Sequence, residues 1–219
     1  MMMRRRDCLN TILHCSAWAL GSSAAGLAAA QTAKVAPRIL VLGDSLSAEY
    51  GLTRGEGWVA LLEQRLREQK LPHQVLNASI SGDTTAGGRA RLPALLKAPG
   101  PNYVIIELGG NDALRGLPLD SSRANLLAMA RAAKTAGAKV LLLGMQVPPN
   151  YGASYGREFA GLFEQVAKQE KTALVPFLLK GVADRPDAEA WFQPDRIHPK
   201  AQAHPLMLEL VWAQLKPLL

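Results

Sequence analysis

The chain has 219 residues, 48% of them apolar and only 5% aromatic, with a formal net charge of +7. That is enough for one α/β domain with a mainly aliphatic core. Lys and Arg are scattered, with no block of five or six and no basic stripe interleaved with aromatics, which argues against nucleic acid as a partner.

Arg4-Arg5-Arg6 forms a positive start, Ile12 to Leu27 is mostly apolar, and Ala28-Ala29-Ala30 offers an Ala-x-Ala site before Gln31. This pattern predicts a signal peptide over residues 1–30, export across the inner membrane to the periplasm or beyond, and one domain over 31–219. The apolar stretch is interrupted by Gly21-Ser22-Ser23 and falls short of the roughly 20 residues a membrane span needs. A lipoprotein signal at Cys15 is disfavoured by His14 before it. Both cysteines, Cys8 and Cys15, lie in this leader, so the exported chain would have no disulfide, thiolate metal site or cysteine nucleophile.

Apolar runs then alternate with helical patterns. Strands are expected at 38–43, 74–78, 103–108, 139–144 and 172–175. Helices are expected at 58–70, 84–97, 121–136, 155–170 and 205–216, with a break in the second at Gly87-Gly88 or Pro93. Continuous apolar strands separated by helices predict a parallel sheet covered on both faces, a three-layer α/β/α sandwich of five strands. No internal repeat or linker divides it.

Ser45 follows the first strand directly in Gly43-Asp44-Ser45-Leu46-Ser47, at the strand end where open α/β sheets place ligands. A serine nucleophile needs a base, a group that orients the base, and donors for the oxyanion. His198 is the candidate base; His73 and His204 read as surface or capping residues, with His204 open to a place near the site. Asp195, three residues before His198, can reach the near imidazole nitrogen, although Asp-x-x-His also suits an ordinary Asx turn. The loop Asn77–Thr84 offers the Gly82 amide, and Leu108-Gly109-Gly110-Asn111-Asp112 offers the Asn111 side-chain amide. Each loop alone has an ordinary turn-forming explanation. Their coincidence at three strand ends and one late loop is what points to a site. No cofactor is expected, since there is neither a phosphate-binding glycine loop with lysine nor a dinucleotide fingerprint. A metal centre from His198, His204, Asp195 and Asp187 lacks a recognisable ligand spacing.

These blocks, Gly43–Ser47, Gly82, Gly109–Asp112 and Asp195-x-x-His198-Pro199, resemble those of the SGNH (GDSL) hydrolases. Asn77–Thr84, Arg91–Lys97, Glu107–Asp112 and Pro149-Asn150-Tyr151-Gly152 are similar to the periplasmic multifunctional acyl-CoA thioesterase/arylesterase/lysophospholipase subgroup. The resemblance runs from about Arg38 to the end. It implies a flavodoxin-like fold, Ser45 as nucleophile, His198 as base and Asp195 as orienter. It also implies an oxyanion hole made by the Ser45 and Gly82 amides and the Asn111 side chain. Arg196 departs from that subgroup, which usually has glycine before Ile-His-Pro. A long cation there is expected to narrow the cleft or favour an anionic leaving group.

The expected activity is hydrolysis of aryl and acyl esters, acyl thioesters and lysophospholipids through an acyl-enzyme. A carbohydrate or peptidoglycan O-acetylesterase is the competing enzyme, and a non-catalytic envelope-binding protein the competing class. Candidate substrate contacts are Asp44, Leu114, Leu117, Met145, Val147 and Pro148, the five apolar ones being equally suited to plain core packing. The protein is expected to be a monomer, touching membrane lipid transiently if at all.

Overall fold

The computed structural model describes residues 35–219. The expected leader over 1–30, with Cys8 and Cys15, lies outside the described residues.

Five strands, β1 (Arg38–Gly43), β2 (Gln74–Asn77), β3 (Tyr103–Glu107), β4 (Lys139–Leu143) and β5 (Ala173–Val175), form one all-parallel sheet in the order β2-β1-β3-β4-β5. The central strands β1, β3 and β4 are the continuous apolar runs, and Ile39 to Leu42, Val104 to Ile106 and Val140 to Leu143 are buried. Residues in the middle of a parallel sheet have helices on both faces, so successive side chains meet no water on either side. By contrast, β2 is an edge strand with Leu76 exposed.

Six helices cover the sheet: α1 (Trp58–Glu68), α2 (Thr85–Leu95), α3 (Gly110–Leu114), α4 (Leu119–Thr135), α5 (Ala153–Glu170) and α6 (His204–Leu215). On one face α1 packs on α6; on the other α4 packs between α2 and α5. The apolar stripe Phe159, Leu162, Phe163 and Val166 of α5 is buried, the 3.6-residue period placing it on one side of the helix. Left-handed residues close two helices, Gly137 (φ 86°) after α4 and Lys171 (φ 52°) after α5.

Two expectations about helices are corrected. The second helix is not interrupted, for α2 runs through Gly87, Gly88 and Pro93. A Cβ on Gly88 would lie 2.2 Å from Leu108 Cδ1, so this glycine lets α2 approach the end of β3 rather than breaking the helix. Pro93 faces solvent, where the carbonyl it leaves unpaired can bond to water. The stretch after β3, expected as a loop, is the short helix α3.

The order 2-1-3-4-5 reverses direction between β1 and β3. The crevice beyond the carboxyl ends of these two strands is therefore the topological switch point where such sheets hold ligands.

Candidate active site

Ser45 opens the turn directly after β1. The Asp44 carboxylate accepts from the Leu46 N–H (3.1 Å), and the Asp44 carbonyl accepts from Ala48 N–H (3.0 Å), which folds the chain back at the serine. Gly43 is required beneath this turn. A Cβ there would sit 2.8 Å from Ser47 Oγ and 2.9 Å from Glu107 Oε2. The Ser47 hydroxyl donates to Glu107 Oε2 at 2.8 Å, a bond that only glycine leaves room for.

The imidazole arrives on a surface hairpin. Phe192 and Pro199 form an antiparallel bridge, Gln193 N–H donates to the His198 carbonyl (2.8 Å), and the tip turns at Arg196 with φ 58°. Asp195 sits in this tip and collects three donors: Ile197 N–H (2.9 Å), His198 N–H (3.0 Å) and His198 Nδ1 (2.7 Å). Partial burial pushes the Asp195 carboxyl up, but these bonds outweigh it and hold it below its ordinary value. A carboxylate accepts only, so Nδ1 carries the imidazole proton and Nε2 is left as acceptor. Ser45 Oγ lies 2.8 Å from that nitrogen, 153 residues away in the chain. The Tyr50 ring lies 4.2 Å from the imidazole, centroid to centroid, and Gln193 Nε2 donates to the Tyr50 carbonyl (2.9 Å). The hairpin is thereby fastened to the serine turn.

Two further loops reach the same edge. Ile80 N–H donates to the Gly43 carbonyl (3.0 Å) and Asn77 Nδ2 to the Ser47 carbonyl (2.8 Å), so the loop carrying Gly82 (φ 79°) is laced to the serine turn. Arg91 of α2 pairs with Asp83 (2.8 Å) and donates to the Ala78 and Gly43 carbonyls. Asn111, in the first turn of α3, donates through Nδ2 to Asp44 Oδ2 at 3.0 Å, leaving its second amide hydrogen free. Buried Asp112 accepts from Thr85 N–H (2.8 Å), the Thr85 hydroxyl and the Ser122 hydroxyl (3.0 Å), tying α3 to the starts of α2 and α4. Neither the Ser45 nor the Gly82 backbone N–H donates to an acceptor among the described residues.

Several expectations need revision. Asp44 is buried with both oxygens engaged by protein donors, so it stands behind the serine rather than against substrate. Met145 belongs to the core. Leu114, Leu117 and Pro148 are exposed and Val147 half-buried, which leaves all four accessible and unrevised as candidate contacts. Two hollows, of about 510 and 290 Å³, lie along α1 and β2 and beside the hairpin; neither is lined by Ser45 or by these five apolar residues. His204 is not a surface residue: it is buried, and its Nδ1 accepts the Trp58 N–H (3.0 Å) at the start of α1. Asp187 is engaged by Arg185 and Trp191. Among the described residues no group of three or more His, Cys, Asp or Glu is placed to hold a metal ion.

Glu107, Asn77, Arg91 and Asp112 lie in the stretches that carry the family resemblance, but sequence reading gave none of them a role. Glu107 carried a usable signal, an acidic residue ending an otherwise apolar strand.

A flavodoxin-like sheet with a hydroxyl, an imidazole and a carboxylate in line at its switch point defines a serine hydrolase. The chain belongs to the GDSL-like lipase/acylhydrolase family, whose model matches residues 41–206. It is 54% identical to Esterase TesA of Pseudomonas aeruginosa over 88% of this chain and 91% of that protein. It is 40% identical to Thioesterase 1/protease 1/lysophospholipase L1 of Escherichia coli over 85% and 86%. The crystal structure of TesA superposes with a TM-score of 0.79, covering 83% of this chain and 99% of that one.

Proposed function

We propose that the protein hydrolyses carboxylic esters and thioesters, including lysophospholipids, with Ser45 as nucleophile, His198 as general base and Asp195 as its orienter. The observation that carries this is the line from Ser45 Oγ to His198 Nε2 (2.8 Å) and from Nδ1 to Asp195 Oδ2 (2.7 Å). Ser45 Oγ attacks the carbonyl carbon while Nε2 takes its proton. The carbonyl oxygen becomes an oxyanion, held by the Ser45 and Gly82 amides and the free Asn111 amide hydrogen. Collapse expels the alkoxide or thiolate, which takes the proton from Nε2. Water, deprotonated by the same nitrogen, then cleaves the acyl-enzyme.

An apolar acyl group has a surface to rest on. Tyr50, Ile80, Leu114, Leu117 and Ile197 are all exposed, and each lies on or just after a segment that carries one of the site groups, Leu114 at the end of α3 and the others in loops. Such a rim suits lipid-derived esters and brief contact with a membrane surface. Action on lysophospholipid or another envelope ester fits this rim and the lysophospholipase named among the relatives, and export as a monomer is part of the same proposal, resting on the leader pattern of residues 1–30.

The test is a substrate panel with a covalent probe. A fluorophosphonate should label the wild type and not Ser45→Ala, and Ser45→Ala should lose ester hydrolysis. p-Nitrophenyl esters from acetate to palmitate, palmitoyl-CoA, lysophosphatidylcholine and acetylated xylan then rank substrates. Ordinary esterase activity in Ser45→Ala refutes the mechanism. Rates that only decline beyond acetate, with xylan deacetylated, transfer the protein to the O-acetylesterases.

A further inference from the structure

We propose that Glu107 is a positioning residue, a buried carboxylic acid that stays protonated in the working enzyme and, through ionised Asp44, aims the Asn111 amide and braces the Ser45 turn. Its catalytic half rests on the hydrolase reading above; its protonation does not.

Glu107 ends β3, in register with Gly43 of β1, and is fully buried. Its Oε2 accepts from Asp44 N–H (3.2 Å) and the Ser47 hydroxyl (2.8 Å). Its Oε1 is buried without a partner among the described residues. An orphan oxygen in so dry a place demands an explanation. The Asp44 side chain is itself buried, and it stands beside Glu107, to which its own backbone N–H is bonded. The other ionisable groups around the pair are the His198 imidazole on the late hairpin and the Arg91 guanidinium of α2. Arg91 touches only the Gly43 carbonyl here and is paired with Asp83. Asp112, the other buried acid nearby, is taken up by Thr85 and Ser122.

Two carboxylates buried side by side cannot both be ionised; one proton between them replaces repulsion by a strong O–H···O⁻ bond. The proton belongs to Glu107. Asp44 has Leu46 N–H and Asn111 Nδ2 as donors and faces His198, all of which favour its anion. Burial and the Asp44 charge push Glu107 well above the carboxylate range, whereas burial moves Asp44 only to about 6. An anionic Asp44 grips one Asn111 amide hydrogen, which turns the other outward, and its charge also faces the imidazolium formed during the reaction.

The experiment joins spectroscopy, stability and kinetics. The wild type at pH 8 should show the infrared carbonyl band of a protonated carboxylic acid, absent in Glu107→Gln. Below its folded-state value a protonated Glu107 is bound tighter than in the unfolded chain. As pH rises above about 4.3, the wild type should therefore lose folding stability relative to Glu107→Gln, about tenfold in the folding constant per pH unit. Glu107→Gln, which keeps a neutral donor and acceptor, should retain kcat. Glu107→Leu should lose about 100- to 1,000-fold in kcat at unchanged KM, the loss expected when an oxyanion donor is misaimed. A missing band with a pH-independent stability gap overturns the protonated state. A wild-type kcat in folded Glu107→Leu overturns the positioning role. If Glu107→Gln fails to fold, the wild-type spectrum decides alone. Failure of the hydrolase reading would appear separately, as wild-type protein inert to fluorophosphonate.

Discussion

Replacing Asn111 by alanine tests the proposed oxyanion site most directly, because its amide has one hydrogen bound to the protein and one without an acceptor among the described residues. One hydrogen is fixed on Asp44 Oδ2 at 3.0 Å and the other is unclaimed. The remaining donors are backbone amides of Ser45 and Gly82, which no side-chain change removes. Loss of one donor of three should lower kcat about 100- to 1,000-fold, or about 2.7–4 kcal/mol of barrier. KM should barely change, since the bond strengthens only as charge develops on the oxygen. The same substitution leaves buried Asp44 one donor short, a folding cost of about 1–3 kcal/mol. Against a typical stability of about 5–15 kcal/mol the variant stays folded. Initial rates on p-nitrophenyl butyrate, with circular-dichroism melts to verify folding, measure both effects. An unchanged kcat, or a loss carried wholly by KM, refutes this account of Asn111.

Arg196→Gly should raise the urea midpoint. A non-glycine residue at φ 58° costs about 1–2 kcal/mol, part of which glycine forfeits as greater unfolded-state entropy. The Arg196–Glu189 pair lost with it is exposed at both ends, and a lowered midpoint would contradict the strain. His204→Leu should cost about 1–3 kcal/mol by stranding the Trp58 N–H. Burial lowers the His204 pKa, so its contribution is full above the unfolded value of about 6.5 and is lost as pH falls through the lower folded value. Melts of wild type and His204→Leu should accordingly converge in acid; a constant gap refutes the assignment. Gly88→Ala should destabilise by about 1–3 kcal/mol through its clash with Leu108, read as a lower melting temperature, and a neutral result would show that α2 can shift away.

The sheet, and the residues proposed to react, were legible for one reason: both leave marks that are local in sequence. Buried strands such as Ile39 to Leu42 are runs of apolar residues, and Ser45, Asn111 and His198 sit in short segments after strands or in a late hairpin, each with glycine, aspartate or proline neighbours. What escaped depends on partners far away in the chain. Gly88 looks like a helix breaker until Leu108 is set against it. His204 looks exposed until the start of α1 is placed over it, 146 residues distant. Met145 has the composition of a pocket residue, and only packing shows it to be core. Glu107 acquires meaning from Gly43, Asp44 and Ser47, none of which its own neighbours in sequence reveal.

The two halves of the site are held differently, and this separates chemistry from selectivity. Ser45, Gly82 and Asn111 are tied to one another through buried Asp44, Glu107 and Asp112, half-buried Arg91 of α2, and Asn77 at the end of β2. The imidazole rides on a hairpin whose tip, Pro194 to Ile197, is exposed, and which reaches the serine turn through Gln193 and the face of Tyr50. A substitution that breaks a tie in the first set is expected to disturb the point where charge develops and to lower kcat, whereas one that keeps the hydrogen bonds, as Glu107→Gln does, is expected to leave it. Arg196 and Ile197 point outward beside the reacting atoms, with the rest of the apolar rim on the other loops. Changes there can alter which acyl or leaving group is accepted without moving the oxyanion donors. Selectivity among esters should therefore respond to Tyr50, Ile80, Leu114, Leu117, Arg196 and Ile197, while the buried acids behind Ser45 set how fast any accepted ester is turned over.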